Sequence, residues 1–77
     1  MELNDFINNF ISQLDTPPTE LVTGETDFRN FESWDSLTAL SIMAMVDDEY
    51  EVNLTGQDIQ KSNTINDIFE IIKTKKK

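Results

Sequence analysis

The chain has 77 residues, fifteen acidic and six basic, with no cysteine and no histidine. That length allows one small domain held by hydrophobic packing alone, because disulfides, Cys/His zinc sites and Cys or Ser–His nucleophiles are all excluded. All fifteen acids fall in residues 1–72 against only Arg29 and Lys61, so this part carries −13 before four C-terminal lysines bring the total to −9; nucleic-acid phosphates and anionic membranes are therefore poor partners.

The first element is an amphipathic helix. Leu3, Phe6, Ile7, Phe10, Ile11 and Leu14 recur at helical spacing, with Asn4, Asp5, Asn8, Asn9 and Ser12 on the other side. Asp15-Thr16-Pro17-Pro18 then predicts a stop, since a proline pair cannot continue the hydrogen-bond ladder. Residues 15–34 show no sustained period and read as an ordered loop. Leu21, Val22, Phe28 and Phe31 are expected to pin it to the core, with a turn at Gly24.

A second helix is expected from Asp35-Ser36 to about Tyr50, with Asp35 as N-cap. Ala39, Ile42, Met43, Val46 and Tyr50 form its core stripe. Leu37, Leu40 and Ala44 form a second, displaced stripe bordered by Ser41, Asp47 and Asp48. Two readings of that stripe stand: burial beneath the 15–34 loop, or an apolar binding surface rimmed by charge. Thr55-Gly56-Gln57-Asp58 and Thr64-Ile65-Asn66-Asp67 both resemble capping boxes with Asp in place of Glu. The first opens a one-turn helix around Asp58–Lys61, and the second opens a last helix with Ile65, Ile68, Phe69 and Ile72 on one face. Val52 and Leu54 supply core contacts between them. The expected class is all-α, with no competing strand or hairpin signal.

Few motifs carry chemistry. An EF-hand loop starting at Asp47 would need glycine at its sixth position and glutamate at its twelfth, where Val52 and Asp58 stand instead. The chain shows no glycine-rich phosphate loop, signal peptide or apolar run of membrane-spanning length. It reads as a non-enzymatic, cytoplasmic monomer. Lys73-Thr74-Lys75-Lys76-Lys77 reads as a disordered basic tail.

What remains is Trp34-Asp35-Ser36-Leu37, a serine at the mouth of a helix, after a long loop and beside the second stripe. Here the chain resembles the acyl carrier proteins and, more broadly, the phosphopantetheine-binding carrier domains, whose signature is Asp-Ser-Leu at the start of the second helix of a four-helix bundle. The first helix, the long loop, the serine position, the Asp47-Asp48-Glu49-Tyr50 ending of the second helix and the short third helix all resemble that family.

The resemblance implies a carrier domain over residues 1–72, a four-helix bundle with a long loop between helices 1 and 2 and a short third helix. It implies a covalent 4'-phosphopantetheine arm, derived from coenzyme A, on Ser36. Asp35, Leu37, Leu40, Ser41, Ala44, Asp47 and Asp48 match positions that family members present to partners. Those partners are a phosphopantetheinyl transferase and acyl-loading and acyl-processing enzymes with basic docking patches. The implied function is carriage of acyl groups as thioesters in fatty acid or specialised, polyketide-like biosynthesis. Alternatives are an aminoacyl or peptidyl carrier and an unmodified acidic adaptor binding through helix 2. Ser33 stands where many members have glycine, and Thr38 and Ser41 stand where acids are common in fatty acid synthesis carriers. Both replacements predict a less charged partner face.

Overall fold

The computed structural model describes residues 2–14, 21–31 and 34–76. In chain order it contains α1 (Leu3–Ser12), a 3₁₀ turn (Phe28–Asn30), α2 (Ser36–Tyr50), α3 (Gly56–Lys61) and α4 (Ile65–Lys76). The stop expected at Asp15–Pro18 and the residue at Ser33 lie outside the described residues. Helix α1 ends at Ser12, and Leu14 is buried after a turn in which its amide bonds the Ile11 carbonyl at 3.0 Å.

Aromatic rings occupy the centre. Phe6 and Phe10 on α1 are fully buried, and the Phe6 ring lies 5.9 Å from Tyr50 of α2 and 5.7 Å from Phe69 of α4. Phe10 reaches the loop: its ring is 5.9 Å from Phe28 and stacks on Trp34 at 6.0 Å with the planes 5° apart. Phe28 and Phe31 therefore pin the long loop as expected, and Val22 packs against the same core. Leu21 does not, being 86% exposed. It precedes the Thr23–Thr26 turn, whose backbone closes at 3.1 Å, and so falls outside the segment that the aromatic anchors draw inward.

The loop is also tied to α4. Asn66 N–H donates to the Gly24 carbonyl at 2.8 Å and Ile65 N–H to the Thr26 carbonyl at 3.2 Å. These contacts satisfy amides of the first turn of α4 that the helix itself cannot use. Gly24 is turn residue and contact point at once, for a β-carbon there would lie 3.0 Å from Leu3 Cδ2 and 3.3 Å from Asn66 Cβ.

Helix α2 buries Thr38, Ile42, Met45, Val46 and Tyr50. This face is rotated from the predicted stripe: Ile42, Val46 and Tyr50 belong to both, but Ala39 and Met43 are only half-buried. The difference has a packing reason. Helix α2 meets α1, α3 and α4, so its buried sector is wide and takes in both sides of Ile42. At its end Glu51 adopts the left-handed region at φ 55°, the conformation that commonly terminates helices.

Both capping boxes form. Thr55 Oγ1 accepts from the Asp58 amide and Asp58 Oδ2 from the Thr55 amide; Thr64 and Asp67 exchange the same pair of bonds. Helix α4 then runs past residue 72 to Lys76, a correction to the expected disordered tail. The lysines find acceptors on neighbouring elements. Lys75 Nζ bonds Asp58 Oδ2 at 2.6 Å and the Asn53 carbonyl at 2.8 Å, and Lys76 Nζ bonds the Tyr50 carbonyl at 2.9 Å. Cations in the last turn of a helix also oppose its dipole favourably. Among the described residues, no helix is long and apolar enough to cross a membrane.

Candidate functional site

Asp35 and Ser36 are adjacent but do different things. Asp35 is extended (φ −156°, ψ −173°), and its Oδ1 accepts from the Thr38 amide at 2.8 Å. Hydrogen bonds from Thr38, its backbone amide first, hold the Asp35 carboxyl below the usual carboxylate range. Ser36 is the first helical residue and is exposed. A serine at a helix mouth is ordinarily explained as the N-cap. Here Asp35 fills that role, and among the described residues the Ser36 hydroxyl has no hydrogen-bond partner.

Ser36 lies on the wall of an open groove of about 550 Å³ between the start of α2 and α3. Trp34, Ala39 and Ile59 form its apolar side, and Arg29 and Gln60 add polar groups. The indole of Trp34 is fixed from below by Phe10 and by Phe28, whose ring centroid lies 4.7 Å away. The groove thus has a rigid floor beside an accessible hydroxyl. Arg29 is a groove residue that the sequence patterns do not pick out. Its one visible signal is being the only Lys or Arg in residues 1–60.

The second stripe of α2 faces outward. Leu37 is 73% exposed and Leu40 57%, and Ala44, Asp47 and Asp48 are exposed with them. Of the two readings, burial beneath the loop is excluded for both leucines. Ser41 is half-buried and, with Ala44, Asp47, Asp48 and Gln13 of the α1 end, lines a second shallow hollow. Thr38 is 4% exposed, which corrects its expected place on the partner face. It lies one turn before Ile42 on the core side, so an acid there would be buried rather than presented.

A phosphodiester fits this place. An exposed hydroxyl at the first residue of a fifteen-residue helix sets an esterified anion against free amides and the positive dipole end. The groove beside it has room for the atoms that follow.

The family model described as the phosphopantetheine attachment site matches residues 5–72. No curated protein sequence matches. Among solved structures, the fold is similar to the solution structure of a holo acyl carrier protein from Geobacter metallireducens. The TM-score is 0.76 at 20% identity, covering 95% of this chain and 83% of that one. That likeness establishes an acyl-carrier-like four-helix fold, and the matched family brings with it a covalent phosphopantetheine as cofactor. From its sequence match and its fold together, the chain belongs to the phosphopantetheine-binding carrier family.

Proposed function

We propose that the protein is an acyl carrier protein whose phosphopantetheine arm is attached at Ser36. The observation that carries this reading is the division of labour at the start of α2. Asp35 caps the helix, and Ser36 is left exposed with no structural bond among the described residues, at the rim of a groove. In the attachment step Ser36 Oγ bonds to phosphorus, the pyrophosphate link of coenzyme A breaks and adenosine 3',5'-bisphosphate leaves. The hydroxyl proton passes to a base on the transferase. Once bound, the arm supplies a thiol, which the chain itself lacks, so that acyl cargo is held as a thioester at one place.

The chain's own residues present that arm and catalyse nothing. Partner enzymes load, modify and unload the cargo, in fatty acid or polyketide-like biosynthesis. The exposed Leu37, Leu40 and Ala44 supply the apolar centre of a docking face, and Asp47 and Asp48 its acidic rim. Asp35 and Ser41 flank that face at the arm's base and side. Charge of this kind speeds encounter with basic patches, while the leucines stabilise the complex once formed.

The test is intact-mass spectrometry after coexpression with a broad-specificity phosphopantetheinyl transferase. The wild-type chain should gain the mass of one phosphopantetheine, and Ser36→Ala should gain none. An unmodified wild-type chain would reject the proposal in favour of an unmodified adaptor. Assay with adenylating enzymes supplied with amino acids would show aminoacyl instead of acyl cargo.

A further inference from the structure

Arg29 lines the same groove as Ser36, and among the described residues no carboxylate neutralises its charge. Its Nη2 donates to the carbonyls of Ile59 at 3.1 Å and Gln60 at 2.5 Å, in the last turn of α3. Its Cζ stands 5.7 Å from the centre of the Phe28 ring. These contacts anchor the side chain at the groove wall from two directions. Nη1 and Nε remain uncommitted among the described residues. In a chain with fifteen acids, none of the described carboxylates forms an ion pair with Arg29.

The arm adds an anion to this setting. A phosphodiester on Ser36 carries a full negative charge next to the exposed Asp35 carboxylate, so the two repel. A guanidinium is the side chain best matched to phosphate oxygens, through its planar fork of donors and weak hydration. Bonds between two charged groups are roughly twice as strong as neutral ones. Resting on the reading of Ser36 as attachment residue, we infer that Arg29 is the positioning residue for the arm: its free donors bind the phosphodiester while Nη2 stays on α3. The first atoms of the arm are thereby held against the groove wall, and the repulsion from Asp35 is offset.

Nuclear magnetic resonance on the full chain tests this, with Ser36 occupancy established beforehand by intact mass. In the wild type, the Arg29 Nε–H resonance should move between the apo and holo forms, and the holo phosphorus line should be broadened by restricted motion. In Arg29→Gln the mass increment should persist while the phosphorus line narrows and changes its chemical shift. An Arg29 Nε–H resonance unmoved by the arm, or a phosphorus line identical in wild type and Arg29→Gln, would overturn the inference. The wild-type comparison decides alone if the variant does not fold. Absence of any mass increment is a separate result, and it defeats the attachment reading instead.

Discussion

The Asp35 carboxylate accepts the Thr38 amide at 2.8 Å, and Thr38 is itself buried, so the backbone on both sides of Ser36 is fixed while Ser36 remains exposed. One residue closes the helix end and the other anchors the first turn in the core. Ser36 and Leu37 between them face outward, and the Ser36 hydroxyl has no hydrogen-bond partner among the described residues. A modification site needs this combination, since a transferase must reach the hydroxyl without unfolding the helix that presents it.

Substitution separates the two roles. Ser36→Ala should leave the melting temperature unchanged, because no bond among the described residues is lost. It should abolish phosphopantetheine incorporation. Asp35→Ala should lower the melting temperature by removing the N-cap, and it should slow incorporation without abolishing it, because Asp35 flanks the docking face while the Ser36 hydroxyl stays in place. Thermal denaturation followed by circular dichroism, paired with intact mass, reads both.

Docking should be separable from folding in the same way. Leu37 and Leu40 are 73% and 57% exposed, and exposed substitutions of this kind change stability by about 0.5 kcal/mol or less. Leu37→Ala with Leu40→Ala should therefore melt as the wild type does. If these leucines centre the docking face, each truncation costs about 1 kcal/mol of binding, a roughly fivefold rise in the transferase KM for the carrier. An unchanged KM would move the interface elsewhere.

Much of this arrangement is legible in the sequence, and the misses have physical causes. The stripe of α1 and both capping boxes follow from spacing and local hydrogen-bond chemistry, which need no knowledge of neighbours. The orientation of α2 does not. Alternating apolar residues mark two faces, and only contact with α1, α3 and α4 decides that Thr38 and Met45 point inward. Leu21 and the C-terminal lysines depend on tertiary context too: the Thr23–Thr26 turn leaves Leu21 outside the anchored part of the loop, and acceptors on distant segments order the lysines. Arg29 carries its signal only as an isolated cation, and its place on the groove depends on carbonyls thirty residues away.

Acid should act through three carboxylates. Thr38 holds Asp35 low, Lys75 holds Asp58 low, and the amides of Asn63 and Thr64 hold Asp67 low. Each folded pKa lies below its unfolded value of about 3.9. The stability each contributes is therefore full above that pH and lost as the pH falls through the folded pKa. Asp58→Asn isolates one group from the general charge of the chain. The variant should be less stable by about 1 kcal/mol near neutrality. The gap should narrow as the pH falls below the unfolded carboxyl value of about 3.9, closing only past the lower folded value, where Asp58 is protonated in the native state as well. Urea denaturation across pH 3 to 7 measures it.

Glu51 offers a backbone test. Its φ of 55° and ψ of 42° place a residue with a β-carbon in the left-handed region at the end of α2. That conformation costs a non-glycine residue roughly 1–2 kcal/mol. Glycine removes the clash but enlarges the entropy of the unfolded chain. Glu51→Gly should stabilise the protein by about 0.5–1 kcal/mol net. A destabilised variant would mean that the Glu51 side chain contributes more than its strain.

The C-terminal turn of α4 should matter out of proportion to its length. Lys76 bonds the Tyr50 carbonyl at the end of α2, and Lys75 bridges Asn53 and Asp58 across the α2–α3 connection. These bonds join α4 to two elements at once and satisfy carbonyls that α2 and the connection leave free. Each contact near the surface is worth only about 0.2–1 kcal/mol, but deletion of residues 73–77 removes all of them together with a turn of helix. A solvated tail would be lost without effect. The structure predicts instead a lower melting temperature, a weakened response to low ionic strength, and faster amide exchange at Glu51–Asp58. Lys75→Gln with Lys76→Gln, which keeps the helix and removes the charges, should reproduce most of that loss, and a melting temperature equal to wild type in both variants would contradict the assignment.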